Sequence, residues 1–298
     1  MRLHPACSAM SVLMLAWVSA AGAARAEKPV NAAACPRPVS APVYFLSSEV
    51  DMVALLAPPP AADSAAQRED LDAVIRAQKA AHESGTIERA VADSAHDCGR
   101  IAEVLGGAAR TDAATGAIAL LTRAALEADT ASVAPKRYWK RPRPYVMSAQ
   151  VERLADMTPE FIAADSVAKE CDKHLSAEQR RVIQQKAAYD VAHASYPSGH
   201  STFGTICAIL LANAVPEKRA ELFARAREYG GSRLIVGAHF PTDIEAGRIT
   251  GTLAASVLLQ DPLFQRDFAA ARTQLREQLQ LPAELPRLEP SAESAPAQ

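Results

Sequence analysis

Residues 197–211 read PSGHSTFGTICAILL, a short polar turn followed at once by an apolar run. The apolar run predicts a buried helix, and Ser198 is placed to cap its N-terminus. The backbone N–H groups of Gly199, His200 and Ser201 would then point outward, where an anion meets several donors and the positive end of the helix dipole. Taken alone, the stretch is more typical of an ordinary serine cap, so an anion-binding site requires support from elsewhere in the chain.

Helix signals surround this stretch on both sides and predict an all-α protein, a compact helical bundle. No alternating strand pattern of useful length and no repeat of fixed period interrupts them. The helix over residues 112–134 is expected to end at Pro135. Caps and stops predict the helices at 47–56, from Ser64, from Thr86 to Gly106-Gly107, at 112–134 and 176–192, after Ser198, from Pro216 to the Gly230-Gly231 stop, and from Asp243 and Asp261.

A second motif consists of Arg233, His239 and Asp243, spaced six and four residues apart. The Phe240-Pro241 pair halts any preceding helix and holds the His239 imidazole at a turn. Asp243 is close enough in sequence to accept a hydrogen bond from one ring nitrogen of His239. This bond would fix the tautomer and leave the other nitrogen free as a nucleophile. Without further motifs, a helix-start carboxylate beside a partly exposed loop histidine is the commoner arrangement.

A third motif pairs Lys136 with Arg143. Pro142 and Pro144 argue against a continuous helix, so Arg143 is expected to project from an extended segment that leaves a helix end. Three further cations form a charge run that is typical of a solvated basic face, namely Arg137, Lys140 and Arg141.

The N-terminus has the features of a secretory signal, with Arg2, an apolar run and Ala24-Arg25-Ala26. We expect cleavage after Ala26 and a soluble protein in the periplasm, because no later stretch approaches the roughly 20 apolar residues that a membrane span requires. The chain after residues 1–26 is expected to divide into an extended arm, a single all-α domain and a disordered, Pro-rich tail, over residues 27–43, 44–280 and 281–298.

Charge and cysteine content limit the partners. Loss of Arg2 and Arg25 lowers the 32 Lys and Arg residues to 30, against 34 Asp and Glu, a net charge of −4. A nucleic-acid partner is therefore not expected. No cysteine has the C-x2-C spacing of a metal site, and no Asp, Glu or His cluster has metal-site spacing. Three disulfide pairings are open among the four cysteines that remain, Cys35, Cys98, Cys171 and Cys207.

The three motifs, in this order, resemble the signature of the type 2 phosphatidic acid phosphatase (PAP2) superfamily, which also contains vanadium haloperoxidases. Within it the chain looks like the bacterial class A non-specific acid phosphatases, which are soluble, exported and all-α. The similarity runs from about Tyr44 to Gln274. It includes three shorter segments, Tyr44-Phe45-Leu46, Leu55-Leu56 with Pro58-Pro59-Pro60, and Tyr229-Gly230 to Gly237.

The resemblance implies a role for each matching residue. His239 is the nucleophile that forms a phosphohistidine, Asp243 holds it, and His200 protonates the leaving alcohol. The phosphate oxygens are bound by the remaining motif residues, Lys136, Arg143, Ser198, Gly199 and Arg233. These roles imply an acid phosphatase for a broad range of small phosphate monoesters, without metal or cofactor and inhibited by vanadate or phosphate. Formation of a homo-oligomer stays open.

The chemistry of phosphoryl transfer agrees with those roles. Charge is spread over the equatorial oxygens, so fixed cations and N–H donors do most of the work. Three cations can offset a dianionic monoester, and guanidinium groups match phosphate geometry. His239 must attack as a free base while His200 carries a proton, which predicts a bell-shaped pH profile with a mildly acidic optimum.

Three alternatives stay open. A vanadate-dependent haloperoxidase uses the same constellation, because vanadate mimics the trigonal-bipyramidal phosphoryl state. A soluble phosphatase of lipid phosphates or diphosphates would use it too, and a non-catalytic helical protein could retain it as a phosphate-binding pocket. The sequence leaves undetermined the preferred monoester, phosphotransfer to alcohols and the oligomeric state.

Overall fold

The computed structural model describes residues 43–45, 49–110, 112–155 and 194–286. These residues form helices with no strand among them, which confirms the predicted all-α class. The α-helices are Met52–Leu55 (α1), Ala65–Ser84 (α2), Ile87–Ala92 (α3), Gly99–Ala102 (α4), Asp112–Ala128 (α5), Val133–Trp139 (α6), Pro144–Met147 (α7), Gly199–Ala214 (α8), Arg219–Ile235 (α9), Pro241–Leu258 (α10) and Pro262–Gln278 (α11). The 3-10 helices are Glu103–Leu105, Gly107–Arg110, Asp129–Ser132 and Pro216–Lys218.

Several predictions fall on residues outside these ranges. They are the signal over 1–26, the extended arm up to residue 42, the helix over 176–192 and the tail beyond residue 286. Arg276 binds the first residues of the predicted tail, donating from Nε to the Pro282 carbonyl at 2.6 Å and from Nη2 to the Glu284 carbonyl at 3.1 Å.

Helix α8 is mostly buried. Twelve of its sixteen residues are buried, because the apolar and small side chains of the opening stretch continue around the whole helix. It packs against α5, α9 and α10. Ser198 caps it as predicted, with its Oγ accepting the Ser201 N–H at 3.2 Å. Among the described residues, no helix is both long and apolar enough to cross a bilayer.

Helix α10 crosses α8 with the two backbones in close contact. A Cβ atom on Gly247 would lie 2.4 Å from the Ser198 carbonyl oxygen, and one on Gly251 would lie 2.5 Å from that of Thr202. Only glycine permits this approach at both positions. As a result the Ser198 N–H donates to the Asp243 carbonyl at 2.9 Å. The beginnings of α8 and α10 are thereby fixed side by side.

The predicted end of α9 is wrong. The helix continues through Gly230-Gly231 and ends at Ile235, shortly before Gly237, whose φ of 73° suits a helix stop. The helix stays closely packed on α8 here, since a Cβ on Gly204 of α8 would lie 2.6 Å from the Tyr229 ring. Arg233 therefore stands on the last turn of a helix.

Two other predicted helix boundaries also differ. Pro135 does not end a helix; it lies in the first turn of α6, where its missing N–H costs no hydrogen bond. The helix predicted from Thr86 to the Gly106-Gly107 stop is divided into α3, α4 and a 3-10 turn.

A disulfide joins Cys98 to Cys207, with Cα atoms 5.4 Å apart. Both cysteines are fully buried, and the bond links the residue before α4 to the middle of α8. The two positions are 109 residues apart, and closing a loop of that length contributes about 5 kcal/mol in the chain-entropy model. Cys35 and Cys171 lie outside the described residues.

Candidate active site

The predicted site residues come together at one end of the fold, where α8 and α10 begin and α9 ends. Ser198, Gly199 and His200 stand at the start of α8, Arg233 on the last turn of α9, and Asp243 on the first turn of α10. His239 lies in the turn between α9 and α10, and its N–H donates to the Arg233 carbonyl at 3.3 Å. Lys136 lies on α6, and Arg143 leaves the following segment in extended conformation, as predicted.

The His239 imidazole is buried, and its surroundings fix its tautomer. Its Nε2 lies 3.2 Å from Nη1 of Arg143. A guanidinium only donates, so Nε2 must be the unprotonated nitrogen and Nδ1 must carry the hydrogen. The lone pair of Nε2 therefore faces the arginine that is predicted to bind phosphate.

Ser195 lies between His239 and Asp243, where a direct hydrogen bond was expected. His239 Nδ1 is 3.6 Å from Asp243 Oδ2, which is too long for that bond, but 3.4 Å from Ser195 Oγ. Ser195 is fully buried and its hydroxyl donates to Asp243 Oδ2. A serine hydroxyl therefore lies between the imidazole and the carboxylate, and the Ser195 backbone also hydrogen-bonds the His239 ring.

Asp243 is held from two directions. Its Oδ2 also accepts the Phe240 N–H at 2.8 Å, and its Oδ1 accepts Arg141 Nη1 at 2.6 Å. Arg141 further donates to Asp70 Oδ2 at 2.7 Å and lies 4.2 Å from the centre of the Phe240 ring. Only 4% of the Arg141 side chain is exposed, so the interpretation of this residue as part of a solvated basic face is wrong. It is a buried support of the Asp243 carboxylate.

Three buried cations surround His239. Burial lowers the pKa of His239 well below its usual range, and the charges of Arg143, Lys136 and Arg233 lower it further. A lowered pKa favours the neutral ring, which is the form that the role predicted for His239 requires. Arg233 donates from Nη1 to Ser94 Oγ at 2.7 Å, whereas its buried Nε meets no acceptor among the described residues. An unsatisfied buried donor on a cation is a position that an anion can fill.

Burial also lowers the pKa of two of these cations. It lowers the pKa of Lys136 to about 7, with a further contribution from the charge of Arg143, while Asp129 and Asp243 act in the opposite direction. Burial likewise lowers the pKa of Arg233 to about 10. Asp129 was not identified from the sequence; its Oδ1 would lie 3.5 Å from a Cβ at Gly199, beside the start of α8.

His200 is partly buried and presents one ring nitrogen for proton transfer. Its Nε2 lies 2.9 Å from the Ser94 carbonyl oxygen, which only accepts, so Nε2 carries a hydrogen and Nδ1 is the nitrogen that can exchange a proton. Burial, followed by the charges of Arg233 and His96, lowers the pKa of His200 well below its usual range. The His96 ring lies against it at 4.0 Å between centroids.

Sequence reasoning missed the residues that support the site from other parts of the chain. Ser94, Ser195 and Asp129 belong to none of the motifs, and no local pattern marks them. Arg141 carried a signal, because alternate residues of an extended segment point to the same side and Arg143 is two positions away. Within the described ranges, no three His, Cys, Asp or Glu side chains are grouped so that they could hold a metal ion.

Comparisons with known proteins show which family the chain belongs to. Residues 116–267, slightly more than half of the chain, match the family model described as the PAP2 superfamily. A non-specific acid phosphatase of Salmonella typhimurium is 43% identical over 83 residues, which are 28% of this chain and 33% of that protein. An acid phosphatase of Zymomonas mobilis is 39% identical over 83 residues, 28% of this chain and 31% of that protein. A non-specific acid phosphatase of Providencia stuartii is 37% identical over 78 residues, 26% and 32% of the two chains. The chain thus spans about a third of the length of these relatives.

Proposed function

Because this chain belongs to the PAP2 superfamily, we propose that it is an exported, metal-independent acid phosphatase that hydrolyses a broad range of phosphate monoesters through a phosphohistidine. One observation carries the proposal. The buried Nε2 of His239 has its lone pair directed at Arg143, with the charges of Lys136 and Arg233 close enough to lower the His239 pKa. The names of the relatives, acid phosphatase and non-specific acid phosphatase, support the same activity.

In the proposed first step the phosphoryl group of the substrate takes over the donors of the cation cluster. Arg143, Arg233 and Lys136 bind its oxygens, together with the N–H groups at the start of α8. When Arg143 turns its hydrogen bonds to the phosphate, the lone pair of His239 Nε2 becomes available. It forms the N–P bond as the ester P–O bond breaks, and the leaving oxygen takes a proton from Nδ1 of His200.

The second step reverses the proton transfer. The phosphohistidine carries a positive ring whose Nδ1–H is stabilised by Ser195 and the Asp243 carboxylate. Water then attacks phosphorus and gives its proton to Nδ1 of the now neutral His200, while the N–P bond breaks. Phosphate leaves, and both histidines return to their starting protonation states.

His200 must be protonated for the first step, although burial, Arg233 and His96 lower its pKa before substrate binds. A bound dianion supplies the opposite charge and raises that pKa. We therefore expect a mildly acidic optimum, because at high pH His200 loses its proton and at low pH His239 gains one.

The location is proposed from residues 1–26, whose basic start, apolar run and Ala24-Arg25-Ala26 end are typical of a signal peptide. The proposed location is tested by expressing the full chain in bacteria, preparing a periplasmic extract and measuring the mass of the protein in that extract. A mature chain that begins at Glu27 is the expected result. An uncleaved chain that stays in the cytoplasm would contradict it.

The activity is tested by hydrolysis of p-nitrophenyl phosphate, with His239→Gln as the variant and His82→Gln as the matched control. His82 is an exposed histidine on α2, outside the site. We expect His239→Gln to lower kcat on the order of 10⁴-fold and His82→Gln to have no effect. Full turnover by His239→Gln would contradict the phosphohistidine mechanism.

Three further measurements distinguish the remaining alternatives. A chelator should leave turnover unchanged, and loss that Mg²⁺ or Zn²⁺ restores would refute metal independence. Vanadate should inhibit; peroxide-dependent halide oxidation after vanadate loading, without phosphatase turnover, would indicate a haloperoxidase. A panel of nucleotide, sugar, aryl and lipid phosphates then measures how broad the substrate range is.

A further inference from the structure

Ser94 makes two contacts to the site from a segment that no motif includes. Its Oγ accepts the Arg233 Nη1–H at 2.7 Å, and its carbonyl accepts the His200 Nε2–H at 2.9 Å. We propose that Ser94 is a positioning residue that aligns a phosphate-binding arginine with its side chain and the proton donor to the leaving group with its backbone. The inference rests on the proposed phosphatase function and adds a residue to it.

The segment 93–98, which contains Ser94, is anchored on the two helices that carry its partners. At one end, the buried Asp93 pairs with Arg225 and accepts the Ser232 hydroxyl at 2.8 Å, both on α9. At the other end, Cys98 is bonded to Cys207 on α8. Since Arg233 lies on α9 and His200 on α8, the segment is tied to both helices close to the site.

Further contacts fix the middle of the segment. The Tyr229 hydroxyl donates to the Ala95 carbonyl at 2.7 Å, and the His96 ring lies against the His200 ring. Ser94 is therefore held in place by neighbours on both sides rather than by its own two contacts. A residue fixed in this way can hold the side chains that it contacts, here Arg233 and His200, in one orientation.

Arg233 depends on Ser94 for its alignment. Among the described residues, the Ser94 hydroxyl is the one acceptor that the Arg233 side chain reaches, and no carboxylate lies within ion-pair distance of it. An Arg233–phosphate contact requires the guanidinium to be in one orientation, because its donors form a rigid fork. Removing the hydroxyl therefore leaves that orientation to packing alone.

The two contacts of Ser94 can be separated by mutation, because one belongs to the side chain and the other to the backbone. Ser94→Ala removes the acceptor for Arg233 and keeps the carbonyl for His200. We expect it to raise the Kd for inorganic phosphate and the KM for p-nitrophenyl phosphate roughly tenfold, with kcat changed less than about threefold. Ser256→Ala is the matched control, since Ser256 is exposed on α10 and its hydroxyl only donates to the Leu253 carbonyl.

A double-mutant cycle with Arg233→Met decides whether Ser94 acts through the arginine. Phosphate affinity is measured by titration calorimetry on the full chain for the unmodified protein, S94A, R233M and S94A/R233M. We expect the tenfold effect of S94A to shrink to less than about twofold in the R233M background. A full effect of S94A in both backgrounds, or no effect in the unmodified background, would overturn the proposal.

The backbone contact is tested by ¹⁵N NMR of the His200 ring. In the neutral imidazole we expect the hydrogen on Nε2, both in the unmodified protein and in S94A. A hydrogen on Nδ1 would overturn this half of the proposal. Neither readout needs turnover, so the two proposals can fail separately. A protein that binds phosphate without hydrolysing esters would refute the proposed function alone. Turnover together with additive effects of S94A and R233M on phosphate affinity would refute the positioning role alone.

Discussion

Lys136 is expected to take up a proton when phosphate binds. Burial, and next the charge of Arg143, lower its pKa to about 7. At about pH 8.5 a lysine with this pKa is roughly 3% charged. A bound dianion favours the charged form, and a return of the Lys136 pKa to about 9.5 or above makes it roughly 90% charged. The expected uptake is therefore about 0.9 proton per phosphate bound.

Calorimetry measures this uptake directly. Phosphate is titrated into the protein at about pH 8.5, well above the unperturbed pKa of histidine, in two buffers with different ionisation enthalpies. The difference in apparent binding enthalpy gives the number of protons taken up. Lys136→Arg is the matched control, because a guanidinium keeps its charge at this pH and its uptake should fall close to zero.

The same linkage predicts the pH dependence of affinity. Because only charged Lys136 binds the dianion well, phosphate affinity should fall roughly fivefold to tenfold per pH unit between about pH 7.5 and 9.5. In Lys136→Arg the fall should be less than about twofold over the same range. No uptake by the unmodified protein, or an equal uptake by Lys136→Arg, would refute the reasoning.

Three other expectations concern Ser195, the disulfide and the histidines. Ser195→Ala should lower kcat on p-nitrophenyl phosphate roughly 10- to 100-fold with little change in KM, and an unchanged kcat would show that the imidazole needs no link to the carboxylate. Cys98→Ala/Cys207→Ala should lower the free energy of unfolding by about 3–5 kcal/mol in guanidinium melts, and a loss below about 1 kcal/mol would contradict the expected contribution. The free energy of unfolding should fall as pH drops below about 6.5, by up to about 3 kcal/mol per unit, because burial lowers the pKa of His200 and His239 and only the unfolded chain takes up protons there. Saturating phosphate should reduce that slope, and a flat profile in urea melts would count against the buried neutral histidines.

The starts of α8 and α10 could be predicted because the contacts that fix them are local. The Ser198 cap acts on an N–H three residues away, and the Asp243 carboxylate accepts the Phe240 N–H within the same turn. Such contacts are set by sequence spacing alone. The glycine stop at Gly230-Gly231 failed for the opposite reason, since packing of α9 on α8 overrides the local preference of glycine.

Long-range supports left no local signal. Ser94 lies 139 residues from Arg233, and Ser195 lies 48 residues from Asp243. A serine in either position looks like any other polar loop residue until the helices bring the partners together. Arg141 is the exception, because it lies two positions from Arg143 and both side chains reach the site.

The two imidazoles and two of the cations in the candidate site share one physical cause for their lowered pKa values. Burial is the largest contribution for Lys136, Arg233, His200 and His239 alike, and neighbouring positive charges act in the same direction. Holding such a cluster together costs stability, because each charged form is desolvated and repelled. A bound dianion offsets both the desolvation and the repulsion. The buried cluster that lowers the stability of the fold should therefore also favour phosphate binding. Affinity for the phosphoryl group would then come from relief of this repulsion as much as from new hydrogen bonds.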